Sequence, residues 1–235
     1  ICKPDPLPHK PLKPAGVHTC GFFNVMATET ELKLGIAPDA IDALLRHPLL
    51  ARPPKRQHLY NTYFDTDDLA LTRQKVAVRE RRVDSQTGNE QTLLTVKTAG
   101  QSLGGLSRRH EWEAPALPGA FDFRALIDDR TLADALFSLA AHLVPVFTTD
   151  FERLSWRITI AGSEVEVALD RGAILVSRNG QSRNTPICEL ELELKSGEID
   201  ALTRLAEQLG TVAQLTPTDE SKASRGYALF NALTV

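Results

Sequence analysis

The sequence predicts an α+β fold: a closed antiparallel eight-stranded β-barrel that forms a tunnel, with a charged lumen and helices packed outside. The first observation is a charged ladder near the front of the chain, Glu29-Thr30-Glu31-Leu32-Lys33. The second is a later carboxylate ladder, Glu189-Leu190-Glu191-Leu192-Glu193. Side chains alternate between the two faces of a strand, so each ladder presents its charges on one face. One such strand alone indicates no more than a solvated sheet face.

The charged pattern recurs in four further segments, where charges of both signs are present. Ionised residues recur at even spacing, and so on one strand face, within residues 79–81, 109–113, 153–157 and 164–170. Arg109, Glu111 and Glu113 share one face of their strand, and Trp112 takes the other. The opposite face of the glutamate-rich strands is apolar and needs a core. A closed barrel that is charged inside and covered by helices outside satisfies every strand.

Strands and helices follow from the pattern in chain order. Strands are predicted at about 28–36, 58–65, 75–83, 91–97, 105–114, 145–160 and 163–176, with the carboxylate strand after residues 178–181 as the eighth. Residues 84–89 form a predicted hairpin loop, and Ala161-Gly162 a two-residue turn. Helical spacing of apolar residues predicts helices within 38–46, 121–143, 198–209 and 220–233.

The first 25 residues differ from the rest of the chain. Five prolines crowd residues 4–14, which excludes a helix or a central strand there. The preferred interpretation is a natural start at Met26, with residues 1–25 an upstream or vector-derived extension. A native disordered arm is the alternative. The domain itself is predicted to span residues 26–235.

Composition excludes several classes of function. With 235 residues, 42% hydrophobic residues and a formal charge of −3, the chain has no basic excess for nucleic acid and no apolar stretch long enough for a membrane span. The cysteines Cys2, Cys20 and Cys188 form no disulfide framework, which favours a reducing cytoplasm. The sequence leaves open whether the chain forms a homodimer.

In its motifs the chain resembles the CYTH family, the triphosphate tunnel metalloenzymes, over about residues 27–230. Residues 29–33 match the family's ExExK signature, which is weak by itself. Seven further motifs follow in the family's order. They are YFDT at 63–66, VRER at 78–81, TVKTAG at 95–100, RHEWE at 109–113, ALDRG at 168–172, ICELEL at 187–192 and SKASRGY at 221–227.

The resemblance implies a site inside the tunnel. It assigns catalytic roles to Glu29, Glu31 and Lys33, and a cofactor that is Mg²⁺ or Mn²⁺. The implied metal ligands are Glu29, Glu31, Glu111, Glu113, Asp170, Glu189 and Glu191. The implied ligands of a small polyanionic substrate are Lys33, Arg79, Arg81, Lys97, Arg109, Arg153, Lys222 and Arg225. Such a pairing is chemically consistent, because carboxylates bind hard cations and guanidinium groups bind phosphate oxygens.

Three activities share this fold, and the fold does not choose between them. Residues 98–100, 104–106 and 221–227 resemble the bacterial inorganic triphosphatase branch, which favours hydrolysis of inorganic triphosphate to pyrophosphate and phosphate. That branch often carries a helical CHAD domain after this module, and the sequence stops at Val235 before one. The alternatives are an organic triphosphatase acting on thiamine triphosphate or a nucleoside triphosphate, a class IV-type adenylyl cyclase, and a non-enzymatic polyphosphate-binding module. The tryptophans Trp112 and Trp156 lie on the uncharged faces of their strands, so neither is placed to stack an organic group.

Overall fold

The structure, a computed structural model, describes residues 27–85 and 90–233. Its strands are β1 (Ala27–Ile36), β2 (Lys55–Asp65), β3 (Ala77–Ser85), β4 (Glu90–Lys97), β5 (Gln101–Leu103), β6 (Leu106–Pro115), β7 (Val144–Ile160), β8 (Ser163–Arg178), β9 (Gln181–Ser196) and β10 (Leu215–Pro217). Its α-helices are α1 (Ile41–Leu45), α2 (Ala70–Arg73), α3 (Phe123–Leu126), α4 (Arg130–Leu139), α5 (Asp200–Leu209) and α6 (Lys222–Asn231). Short 3₁₀ turns occupy Pro38–Ala40, Pro48–Leu50 and Ala140–His142.

Eight strands form the closed antiparallel barrel that the sequence predicts. Neighbours around the wall run in the order β1, β9, β8, β7, β2, β3, β4, β6, and β6 pairs again with β1. Strand β5 lies beside β6, and β10 lies beside β1. Because the sheet closes on itself, one of its faces becomes the lumen and the other an outer wall.

The two charged ladders are neighbours in this wall. Strand β1 pairs with β9 so that Lys33 lies opposite Glu191 and Glu31 lies opposite Glu193. On its other edge β1 pairs with β6, which sets Glu29 opposite Arg109. All six side chains line the same cavity, as the shared parity predicts.

The outer wall is apolar and is covered by helices. Leu190 and other outward residues of β1, β7, β8 and β9 pack against α1 and α5, where Leu205 is fully buried. On the opposite side, Trp112 and its neighbours on β3, β4 and β6 pack against α3 and α4, where Leu136 is buried. The indoles of Trp112 and Trp156 both lie on this outer side, as predicted.

Helix α6 is placed differently, because it packs against the inner face of the sheet. At one end of the barrel the lumen-facing positions of the strands carry apolar side chains that contact α6. They include Leu59, Tyr63, Phe147, Phe151, Ile174, Val176 and Ile187. Gly226 lies against the ring of Phe147, and a Cβ built on Gly226 would stand 2.2 Å from its Cε2. The last helix therefore enters the barrel at one end.

The helical prediction for residues 121–143 is wrong as one continuous stretch. Helix α3 ends at Leu126, and α4 begins anew at Arg130. The Asp129 side chain caps α4 by accepting from the amides of Thr131 and Leu132. The neighbouring Asp128 accepts from Trp112 Nε1 at 2.8 Å. The break between α3 and α4 thus places Asp128 in a contact with β6 that the spacing of apolar residues does not predict.

The remaining differences are small. The short strands β5 and β10 were not predicted, and the last helix spans 222–231, where the sequence predicts 220–233. The predicted start at Met26, the segment 1–25 and most of the 84–89 loop lie outside the described residues. In the described part of the chain, every helix is too short or too polar to cross a membrane.

The close approach of α6 to the wall generates a stability prediction. We expect Gly226→Ala to lower the free energy of unfolding by about 1–3 kcal/mol, because the added methyl overlaps the buried ring of Phe147. Urea denaturation measures the change. The matched control is Gly35→Ala, whose Cβ would have no neighbour nearer than 3.6 Å. Equal stabilities of the two variants would contradict this packing.

Candidate active site

The lumen contains a cavity of about 630 Å³ lined mainly by charged side chains. Seven of the eight predicted substrate ligands line it: Lys33, Arg79, Arg81, Lys97, Arg109, Arg153 and Lys222. The eighth, Arg225, lies one turn beyond Lys222 on α6 and donates to Glu189 at 3.3 Å. Carboxylates from β1, β6, β8 and β9 line the same space. Five of the seven predicted metal ligands line this chamber, namely Glu29, Glu31, Glu111, Glu113 and Glu191, while Asp170 and Glu189 are buried with ligand oxygens within 4.8 Å of Glu191.

A first ion cluster forms around Glu29. Its carboxylate accepts from Lys97 Nζ at 2.9 Å and from Arg109 Nε at 2.8 Å, and Arg109 also donates to Glu31 at 2.9 Å. Burial opposes ionisation of Glu29, but the charges of Lys97 and Arg109 outweigh it and lower the pKa of Glu29 far below its usual range. Lys33 lies 3.5 Å from Glu31 in the same cluster. The Glu29 carboxylate therefore stays ionised at neutral pH.

A second ion cluster joins helix α6 to β7, β8 and β9. Arg153 donates to both oxygens of Asp170 at 2.7 and 2.6 Å, and to Glu191 at 2.5 Å. Lys222 Nζ lies 2.7 Å from Asp170 and 2.9 Å from Glu191, and it also contacts Glu189. Burial opposes the charge on Glu191, but Lys222 and Arg153 lower its pKa well below the usual value. The side chain that begins α6 is thus the centre of this cluster.

Three carboxylates of the second cluster have the arrangement of a cation site. Asp170, Glu189 and Glu191 each offer an oxygen within 4.8 Å of the others. Burial, with a contribution from the charge of Glu191, raises the pKa of Glu189 even though Lys222 opposes this. These three carboxylates are matched by the three cations Arg153, Lys222 and Arg225, so a divalent cation would bind here in place of part of that pairing. Oxygen donors in this number suit a hard divalent cation such as Mg²⁺ or Mn²⁺.

Two arginines on β3 have incomplete bonding. Arg79 reaches Glu111 and Glu113 only at 3.6 and 3.8 Å, and its buried Nε has no hydrogen-bond partner within the described residues. Arg81 forms no ion pair in that part of the chain, and its Nε donates to Asn61 Oδ1 at 2.8 Å. Burial lowers the pKa of Arg81 to about 10, and the nearby charge of Arg79 adds to this. An anion in the cavity would supply the missing acceptors.

The other predicted metal ligands lie along the same lumen outside the three-carboxylate group. Glu29 and Glu31 are paired with Lys97 and Arg109, and Glu111 is 3.1 Å from Lys97. Glu113 accepts from Thr95 at 2.6 Å. Their part in metal binding stays a prediction.

Several lumen residues were not singled out from the sequence. Tyr63 lines the cavity beside Arg79, and Asn61 orients Arg81 while donating to Thr149 at 2.7 Å. Residues 59, 61 and 63 share one face of β2, and the alternation of faces along the strand could have predicted that Asn61 and Tyr63 face the lumen together. The sequence indicates this only weakly, because neither side chain is charged and β2 therefore shows no charged ladder.

The fold and the lumen define a charged tunnel inside an eight-stranded barrel. A family model for the CYTH domain matches residues 27–227. The chain therefore belongs to the CYTH domain family.

Relatives of known name fit this assignment. An inorganic triphosphatase from Haemophilus influenzae is 34% identical over 212 residues, which are 88% of this chain and 56% of that protein. The chain thus spans about half the length of this relative.

Among solved structures, the Hippeastrum protein HpAC1, reported to have a dominant triphosphatase activity, has a TM-score of 0.57 at 19% identity. The match covers 88% of this chain and 97% of that protein's chain. The PH1819 protein of Pyrococcus horikoshii has a TM-score of 0.52 at 17% identity, with 85% and 99% covered. At these identities the two structures show a shared fold.

The pairing of Glu29 generates a pH prediction. Its folded-state pKa lies below the usual 4.5, so its contribution to stability is present above about pH 4.5 and is lost as the pH falls below it. We expect Glu29→Gln to remove up to about 1.4 kcal/mol per pH unit from the fall in unfolding free energy below that pH. Urea denaturation in EDTA between pH 7 and pH 3 measures it. Glu164→Gln, at an exposed position of β8, is the control. Parallel curves for wild type and Glu29→Gln would contradict the pairing.

Proposed function

We propose that this domain hydrolyses inorganic triphosphate to pyrophosphate and phosphate inside the barrel, with Mg²⁺ or Mn²⁺ as cofactor. The observation that carries the proposal is a cavity in which Arg79 and Arg81 have incomplete bonding and in which the lining residue Glu191 belongs to a group of three carboxylates close enough to hold one cation. A polyphosphate that arrives with a divalent cation would bond to both groups of side chains at once. The similarity to an inorganic triphosphatase supports the same substrate class.

Substrate binding would begin at the two arginines of β3 whose bonding is incomplete. Arg79 and Arg81 stand two positions apart on β3 and point into the cavity, so a linear phosphate chain can accept from both. Lys33, Lys97 and Arg109 on the adjoining β1, β4 and β6 would bind further phosphate oxygens. Each already has a carboxylate partner, so we expect these three to shift part of their bonding to the substrate.

The cofactor would be held by carboxylates. Asp170, Glu189 and Glu191 form the core of the donor set, and Glu29 and Glu31 on the adjoining β1 would complete it. When bound, the divalent cation supplies charge neutralisation and Lewis acidity at the phosphoryl group. Phosphoryl transfer depends mainly on such neutralisation and on in-line placement.

The catalytic strand would be β1. Lys97 and Arg109 keep Glu29 ionised, Arg109 also donates to Glu31, and Lys33 follows these two residues on the same face. Lys33 is 3% exposed, so its ammonium is desolvated and its attraction for developing negative charge is strengthened. Lys33 would stabilise the oxygen that gains charge as the anhydride bond breaks.

An organic triphosphate is disfavoured by the aromatic groups of the lumen. Tyr63 lines the cavity, but its ring is stacked on Phe147 with centroids 4.5 Å apart, and the residue is 3% exposed. Its face is therefore covered and offers no platform for a base or a thiazole. The free thiol of Cys188 is compatible with the cytoplasmic setting that we propose.

Substrate choice can be measured directly. We expect kcat/KM for inorganic triphosphate to exceed that for ATP by about a hundredfold, roughly 3 kcal/mol, because only a ligand that is phosphate throughout uses every lumen cation. The assay follows phosphate release from triphosphate, ATP, thiamine triphosphate and long polyphosphate with Mg²⁺ and with Mn²⁺. EDTA is expected to abolish turnover. Equal rates on triphosphate and ATP, or cyclic AMP as the main product from ATP, would contradict the proposal, and binding without turnover would indicate a polyphosphate-binding module.

The unpaired arginine supplies a second test. We expect Arg81→Met to leave the unfolding free energy within about 1 kcal/mol of wild type, because the lost bond to Asn61 is offset by removal of a buried unpaired charge. Triphosphatase activity should fall by about 10²–10³. The control is Arg82→Met, at an exposed position next to Arg81 on the opposite face of β3. Unfolding of the Arg81 variant, or undiminished turnover, would show that Arg81 serves the fold and not the ligand.

A further inference from the structure

Helix α6 has to be oriented accurately for its first residue to reach the lumen. Lys222 is 6% exposed and lies among the carboxylates of Asp170, Glu189 and Glu191. A helix turns about 100° per residue, so a small rotation of α6 would carry the Lys222 ammonium out of this cluster. Something in the fold must therefore set the rotation of α6.

Apolar packing sets it only in part. Gly226 fits closely against the ring of Phe147, which limits the rotation of α6 on that side, whereas the hydrophobic contacts with Phe151 have little directional preference. The ion contacts of Lys222 and Arg225 are directional, but under the proposed function these side chains also serve the substrate. They cannot serve at the same time as a fixed reference for their own helix.

Tyr227 makes the remaining buried polar contact between α6 and the barrel among the described residues. Its hydroxyl donates to Asp65 Oδ2 at 3.0 Å, at the end of β2. Tyr227 lies five residues after Lys222, so the two side chains project about 140° apart around the helix. One side of α6 is thus tied to β2, while the other presents Lys222 to β8 and β9.

Asp65 is itself held rigidly. It is fully buried, and its Oδ1 accepts from the amides of Thr66 and Leu71, both at 2.8 Å. Its Oδ2 accepts from the amide of Thr72 at 3.0 Å as well as from Tyr227. Three backbone donors fix the carboxylate against the first turn of α2, which makes it a firm anchor for a hydroxyl on another element.

We propose that Asp65 and Tyr227 are positioning residues that set the rotation of α6 and so hold Lys222 in the lumen. This inference rests on the proposed function, since its effect is read through the reaction that Lys222 assists. Neither residue touches the substrate in this role. Their contribution passes through Lys222.

The test is a double-mutant cycle with Tyr227→Phe and Lys222→Met. The phenylalanine keeps the ring that contacts Phe147, with centroids 5.1 Å apart, and removes only the hydroxyl. We expect kcat/KM for triphosphate to fall about tenfold in Tyr227→Phe and about a hundredfold or more in Lys222→Met. The kcat/KM of the double variant should match that of Lys222→Met within about twofold. Once Lys222 is absent, a wrongly rotated α6 has no ammonium group to displace from the lumen.

The controls separate positioning from general destabilisation. Tyr60→Phe removes a hydroxyl from the same strand as Asp65, on the outer side of the wall where Arg82 lies over its ring, and should leave kcat/KM unchanged. Additive losses in the cycle, an undiminished Tyr227→Phe enzyme, or failure of that variant to fold would each overturn the positioning role. Absence of triphosphatase activity in the wild-type protein would instead refute the proposed function.

Discussion

Charge compensation across neighbouring strands is the constraint on which the rest of this structure depends. A lumen of low dielectric penalises any ionised side chain that lacks a partner. The antiparallel registers meet this requirement at four places, where Glu29 faces Arg109, Lys33 faces Glu191, Lys97 faces Glu111 and Arg153 faces Asp170. A shift by one residue would turn every one of these pairs out of the lumen, so the charges help to specify the register.

Two places in this pattern define the site. Asp170 faces Glu189 across β8 and β9, which brings like charges together beside the cations that pair with them. Arg79 and Arg81 face the neutral Tyr63 and Asn61 across β3 and β2, so Arg79 reaches carboxylates only at 3.6 and 3.8 Å and Arg81 forms no ion pair among the described residues. A fold that needed only stability would fill both places with apolar side chains, since buried ion pairs contribute little net stability. Loosely bonded cations beside clustered carboxylates are typical of a site for a polyanion that carries a cation.

Much of this arrangement follows from the period-2 pattern alone. Parity places Glu29, Glu31 and Lys33 in the lumen and Trp112 on the outer wall, and the structure confirms both. Parity cannot say which carboxylates meet, because that depends on strand order and register, and so the grouping of Asp170 with Glu189 and Glu191 emerges only in three dimensions. The break between α3 and α4 and the anchoring of Tyr227 on Asp65 depend on contacts between residues distant in sequence. Apolar spacing and helix propensity carry no information about such contacts.

The central claim is that the free lumen is built for a linear polyphosphate, and calorimetric titration with inorganic triphosphate tests it most directly. In EDTA at low ionic strength, we expect one saturable site per chain whose affinity falls as salt is added, because buried cations attract the ligand and salt screens its approach. Addition of Mg²⁺ should tighten binding of a slowly hydrolysed analogue. Absence of saturable binding by the folded protein in both conditions would contradict the claim.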